Sequence, residues 1–420
     1  MKTRLGLLVL LAFPALLTWN FFGFADEPKA EVAFPHFHMQ EIETGLKVGY
    51  AVLIADINND GKPDIVVVDA NRVVWYENPT WKMRTILSGK TKPDNVCLAI
   101  ADIDGDGQLD IVLGADWAPF NTKGGGTLQW LKRGKTLDEE WTMYPIAEEP
   151  TVHRVKMADI DGSGKKPAII LAPLMGRDST QKSNWMDGRP VRILAYRIPK
   201  DPVKVPWAPE VLNDSLHVVH NIWPTTDAAS KPLIWCASYE GVTVLANDNG
   251  KWISRHAASG NQANPMGNRG ASEIKVGQLK NGKHFVATIE PWHGNQVVVY
   301  TEDQDDKGLQ KRFVIDDHLR WGHGVWCADL DGDGVDELII GVRDDPNPKA
   351  GDKFTERRGV RVYKCTDGKG EKWARQIVDD GGVAVEDLTA ADLNGDGKID
   401  IIAVGRQTHN LRIYWNQGKK

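Results

Sequence analysis

Cysteine is scarce in this 420-residue chain: there are four, Cys97, Cys236, Cys327 and Cys365, and none forms a C-x-x-C pair. That spacing excludes zinc-ribbon and thioredoxin-type patterns. Cys97, Cys236 and Cys327 sit in apolar strand patterns, so buried free thiols are expected. A long-range disulfide is the other reading in an exported protein. Positive charge is also in short supply, with 51 Lys and Arg against 57 Asp and Glu. That balance argues against a nucleic-acid partner. Low-complexity segments are absent too, and nothing marks a second domain.

The one long apolar run is at the start. Lys2 and Arg4 precede an apolar stretch from Leu5 to Leu17, and Gly23-Phe24-Ala25 offers a small-residue cleavage site. Residues 1–25 are read as a signal peptide, with an uncleaved membrane anchor as the other reading. Cleavage would leave residues 26–420 as a secreted, periplasmic or cell-surface protein with no membrane contact. It would also remove two basic residues and no acidic one.

What the chain does have is a recurring acidic phrase. Asp56, Asn58, Asp60 and Asp64 surround Gly61; Asp102, Asp104, Asp106 and Asp110 surround Gly107. The phrase returns with Asp329, Asp331, Asp333 and Glu337 around Gly334, and with Asp392, Asn394, Asp396 and Asp400 around Gly397. A decayed copy starts at Asp159, where Ser163 and Pro167 replace acids. Oxygen ligands at positions 1, 3, 5 and 9 around a glycine turn suit a hard cation, above all Ca²⁺. An isolated acidic turn is usually a solvated loop. Four near-identical copies point instead to structural Ca²⁺ in about four loops.

Each phrase lies between two short apolar strands, and the unit repeats seven times. First strands are expected to begin near Tyr50, Val96, Val152, Leu216, Ala271, Gly322 and Val385. Third strands follow, such as 73–76 and 411–415. Fourth strands are opened by Trp81, Trp141, Trp207, Trp252 and Trp373. Four strands per unit, repeated seven times, predict an all-β, seven-bladed β-propeller. The last unit stops after its third strand, and 37–42 matches the missing fourth. An N-terminal strand is therefore expected to complete the last blade.

The phrases at 101–107 and 391–397 resemble FG-GAP or VCBS repeats. Those repeats build seven-bladed propellers in integrin α-subunits and many exported bacterial proteins. The resemblance implies the fold and Ca²⁺, and says little about function. Separately, 289–295 with 297–300, and Val152-His153-Arg154, are similar to stretches in the propeller part of aldos-2-ulose dehydratases. Those enzymes eliminate water from oxidised sugars such as anhydrofructose. They also carry cupin-type domains, of which these residues show no pattern.

First strands of a propeller line its central channel. Six residues before the first loop Asp, or its equivalent, the units carry Tyr50, Val96, His153, His217, Ser272, His323 and Glu386. Three His and one Glu are therefore expected to converge, on the face opposite the acidic loops. Such a set can hold Zn²⁺ or another divalent metal in the channel, or supply a general base and acid.

Loops between second and third strands open on the same face. They add Trp117, Arg177, Tyr239, Trp292, His293, Arg343 and Arg406, with Trp185 and Trp321 nearby. Tryptophan offers a platform for a sugar face, and arginine can bind a carboxylate or an enolate.

Two readings stand on these residues. The first is a carbohydrate-active lyase or dehydratase acting on an oxidised sugar or a uronic-acid glycan. In it, His153, His217 and His323 serve as base or metal ligands, Glu386 as ligand or acid, and Tyr50 or His293 as proton donor. The second is a non-catalytic propeller that binds a glycan or a protein.

Overall fold

Among the described residues every regular element is a strand except two single 3₁₀ turns, Gln181–Ser183 and Lys280–Gly282. The computed structural model describes residues 32–164, 166–302, 309–343 and 358–419. The expected signal segment at 1–25 lies outside them, as does most of the insertion that begins at Arg343.

Twenty-eight strands form seven four-stranded antiparallel sheets, each made of consecutive strands except one. That exception closes the ring. Phe37–Glu43 pairs with Leu411–Asn416, in register from Phe37 opposite Asn416 to Glu41 opposite Arg412. The chain is thus a seven-bladed β-propeller whose last blade borrows its outer strand from the N-terminus.

Five of the seven second strands are buried along their whole length, as in Asp64–Asp69, Asp110–Ala115 and Asp400–Gly405. Each sheet packs both faces on neighbouring blades, so these strands read as continuous Ile, Val and Leu runs rather than alternating ones. One apolar cluster joins the first three blades through Trp75, Trp130 and Tyr196. Side chains also bond ring-wise into the adjacent blade's acidic loop. Asn78 donates Nδ2 to the Leu393 carbonyl at 2.7 Å, and Asn416 donates to Leu330 at 2.7 Å.

Two first strands start later than expected. The fourth blade begins at Asn221, because Leu216 ends the outer strand Pro209–Leu216 of the third blade. The fifth begins at Ile274 rather than near Ala271. Both blades have lost the acidic loop that anchors the register elsewhere.

Candidate active site

The first strands run along the channel, and three of them are interrupted at their entrance. Pairing shifts between Val152 and Arg154, between Gly322 and Gly324, and between Val385 and Asp387. The residues left over are His153, His323 and Glu386. A bulge re-aims the extra side chain. In blades 4, 5 and 1 the equivalent positions are unbulged: His220, Ser272 and Tyr50 each donate backbone N–H to the second strand.

All of these side chains except Ser272 line a cavity of about 220 Å³ at one mouth of the channel, with Trp117, Phe120, Arg154, Trp292, His293, Arg343 and Arg406. His220, His293 and His323 each offer a ring nitrogen to one common point, the three lying within 4.8 Å of one another. The Nε2 atoms of His220 and His293 are 2.7 Å apart. Behind His220, Nδ1 lies 2.8 Å from Glu273 Oε1. Behind His323, Nδ1 meets the backbone carbonyl of Glu386. The His323 contact places the proton on Nδ1 and leaves its Nε2 lone pair facing inward, as in metal-binding histidines; the Glu273 carboxylate lies close to His220 Nδ1, but off the direction of a hydrogen bond.

His293 comes from the loop between Glu290 and Gln296, with its backbone in the left-handed region (φ 50°). Its ring stacks on Trp292 at 4.7 Å, with Trp321 on the other side at 6.4 Å.

Burial, first of all, holds His153, His220, His293 and His323 well below the ordinary imidazole range. The guanidiniums of Arg154 and Arg343 add to this. All four are therefore neutral at pH 7, as ligands or proton acceptors must be. Glu386 receives Arg343 at 3.0 Å and Arg406 at 2.9 Å. Tyr50 donates its hydroxyl to Asp94 at 2.6 Å, and its pKa is pushed up, by burial first and then by that bond. His153 Nδ1, Trp292 Nε1 and Arg343 Nε are buried without a hydrogen-bond partner.

Below the mouth the channel is filled by a charged layer. Glu273 bonds Arg154 at 3.2 Å and receives Asn221. Lys275 lies 4.0 Å over Trp223 and 5.1 Å from Trp326. Burial pushes the Lys275 amine down to about 7.

Comparison with known proteins adds to this geometry. Residues 125–303 match the model of the aldos-2-ulose dehydratase β-propeller domain; 56–113 match an FG-GAP-like repeat and 98–129 an FG-GAP repeat. An aldos-2-ulose dehydratase of Phanerodontia chrysosporium is 24% identical over 90% of this chain and 45% of its own length. The chain therefore spans under half of that relative. The chain is similar to FG-GAP repeats and to the propeller domain of aldos-2-ulose dehydratase.

Solved structures support the fold alone. A chain from the complex of BBS1N with ARL6DN is 10% identical, with a TM-score of 0.53 over 91% of this chain and 97% of that one. The extracellular domain of hybrid two-component system BT4673 from B. thetaiotaomicron gives 12% identity and a TM-score of 0.50, over 90% of this propeller and 40% of that chain.

Not every sequence-predicted residue reaches the cavity of this propeller. His217 does not: it sits before the fourth blade's first strand, with Nδ1 on Glu240 at 2.9 Å, and His220 takes the channel position. Arg177 is turned away to Glu149, at 2.7 Å, beside Arg192. Tyr239 is buried in an apolar cluster with Leu174, Met175 and Trp185. Trp185 packs there under Phe120, and Trp321 stands at the rim, 45% exposed. Sequence reading missed His220, Glu273 and Asp94. A histidine three residues beyond His217 was the available signal.

On the other face, the position-1 carboxylates fold their own loops. Asp56, Asp102, Asp329 and Asp392 each accept backbone N–H groups from the glycine turn. Burial pushes Asp64, Asp110 and Asp400 up to about 6 and Glu337 to about 7. Asp104 Oδ1 and Asp331 Oδ1 are buried without a partner, which fits a cation ligand. The four cysteines are free, three of them buried and Cys327 partly so.

Proposed function

We propose that this propeller is a carbohydrate dehydratase of the carbon–oxygen lyase type, acting on a single oxidised sugar at the His220/His293/His323 centre. The observation that carries the reading is the convergence of those three imidazoles on one point. Three neutral nitrogens with fixed outer partners suit Zn²⁺ or another divalent transition metal. Such an ion would polarise the sugar carbonyl and stabilise the enolate.

The remaining residues fit an elimination. His153 is neutral and buried, with Nδ1 free to accept the proton from the carbon beside the carbonyl. Tyr50 keeps its proton and can deliver it to the departing hydroxyl, with Asp94 fixing the phenol. Trp117 and Trp292 flank the space where the ring would lie. Atoms balance: the substrate loses one C–H and one C–O bond, gains a C=C bond and releases water.

A monomer suits the site better than a uronic-acid polymer. The cavity is about 220 Å³ and overhung by Phe120, and Arg343 and Arg406 are both already paired with Glu386. We further propose that the protein is exported and that its acidic loops take Ca²⁺.

The test is ultraviolet detection of enone formation from 1,5-anhydrofructose and related aldos-2-uloses, with metal analysis beside it. Turnover that depends on a transition metal and disappears in His220→Ala supports the reading. A metal-free protein inert toward every oxidised sugar would leave the glycan- or protein-binding propeller as the better one.

A further inference from the structure

The two loops with four acidic ligands each hold a lysine from the third strand of their own blade, and in the sixth blade Lys419 also pairs with Asp331 Oδ2, at 2.7 Å. In the sixth blade the Lys364 ammonium lies 2.8 Å from Asp333 Oδ2 and 3.3 Å from Glu337 Oε1, and also pairs with Asp331 Oδ2. Three N–H donors thus meet three carboxylates, at loop positions 3, 5 and 9. In the second blade Lys132 pairs with Asp104 and lies 2.9 Å from Asp106.

Both lysines occupy one structural position. Leu131 pairs with Ile111 and Tyr363 with Leu338, and the lysine follows in each case. Tyr76 pairs with Ile65 and Tyr414 with Ile401, and there Glu77 and Trp415 follow instead. Position 3 of the loop changes in step. It is Asp104 and Asp331 where lysine follows, but Asn58 and Asn394 where it does not. The fourth carboxylate and the lysine are therefore present together twice and absent together twice.

Charge explains the coupling. A fourth carboxylate within a few Å of three others raises their mutual repulsion, and an ammonium on the same oxygens offsets it. The lysine does not use every acceptor, since Asp104 Oδ1 and Asp331 Oδ1 stay unpartnered in buried positions. An entering ion finds that oxygen free, but meets the ammonium on its other ligands.

We propose that Lys132 and Lys364 are built-in competitors of Ca²⁺. They hold the loops of the second and sixth blades closed without an ion and are displaced when one binds. The first and seventh blades have no lysine at that strand position, and their loop lysines Lys62 and Lys398 reach a single carboxylate each, Asp60 at 3.8 Å and Asp396 at 2.8 Å, so these blades bind Ca²⁺ more tightly. The chain then has two classes of site rather than four equal ones. The proposal is independent of the chemistry at the channel mouth.

Calorimetric titration of the chelator-stripped full chain with CaCl₂ tests it. The expected result is two classes of site separated by about tenfold or more in affinity. Lys132→Met moves one site from the weak to the tight class, and Lys364→Met moves another when combined with Lys419→Met, since Lys419 also pairs with Asp331. Glu77→Lys does the reverse in the first blade. Lys166 is the control, since its ammonium reaches the Ile103 carbonyl at 3.3 Å beside the same loop. Lys166→Met removes an equal charge without freeing a carboxylate. Four equal sites, no Ca²⁺ binding, or equal effects of Lys132→Met and Lys166→Met each overturn the proposal. Should Lys364→Met fail to fold, Glu77→Lys carries the test, and an unchanged tight class there overturns it.

Discussion

His220 and His293 meet with their Nε2 atoms 2.7 Å apart and their rings nearly perpendicular, at 88°. Two neutral imidazoles at that separation either share one proton or turn both lone pairs to a common cation. With His323 completing the set, His220→Ala is expected to lose any transition metal and lower dehydratase turnover by about 10²-fold or more. Elemental analysis and initial rates check this. The melting temperature should move little, because the site lies at the channel mouth rather than between blades.

Glu273 supports His220 from behind. Glu273→Gln keeps the shape but removes the negative charge 2.8 Å from His220 Nδ1. Metal affinity is expected to fall by about 10- to 100-fold, with the fold retained. Competition against a calibrated chelator measures it. Unchanged affinity would remove Glu273 from the positioning role.

Lys275 gives a pH signature. Its folded-state pKa lies near 7, against 10.5 for the unfolded chain. Between those values the unfolded state binds the extra proton, so stability rises with pH. Below about 7 both states are protonated and the full penalty of the buried charge applies. Stability is expected to climb from pH 7 toward pH 9 by up to ~1.4 kcal/mol per unit. Lys275→Met should abolish that rise. Urea unfolding at several pH values reads it.

Asn78 ties the first blade to the seventh through the Leu393 carbonyl. Its other amide hydrogen bond goes to Pro63 in its own blade, at 2.9 Å. Asn78→Ala strands the buried Leu393 carbonyl and the partly buried Pro63 carbonyl, and is expected to cost about 1–3 kcal/mol. Asn416→Ala, at the equivalent place between the seventh and sixth blades, should cost a similar amount. A shift in urea midpoint without change in slope is the expected form.

Much of this protein was legible in its sequence because repetition supplied internal evidence. Four acidic phrases fixed the first and second strands of their blades, and Phe37–Glu43 could be matched to a missing outer strand. His153, His323 and Glu386 could be placed because each stands a fixed distance before an acidic loop or its decayed copy. His217 was chosen in error where that ruler failed, since the fourth blade has no acidic loop.

The linear sequence by itself determined the blade count, the strand order and the loops, all set by contacts between near neighbours. Only the tertiary structure decided the site. The packing of consecutive blades brings His220, His293 and His323 together, bulges turn His153, His323 and Glu386 inward, and Glu273 reaches His220 from the neighbouring blade. The pairing of Lys132 and Lys364 with their loops is likewise a contact across strands. Such contacts depend on how neighbouring blades pack against one another, which no local pattern encodes.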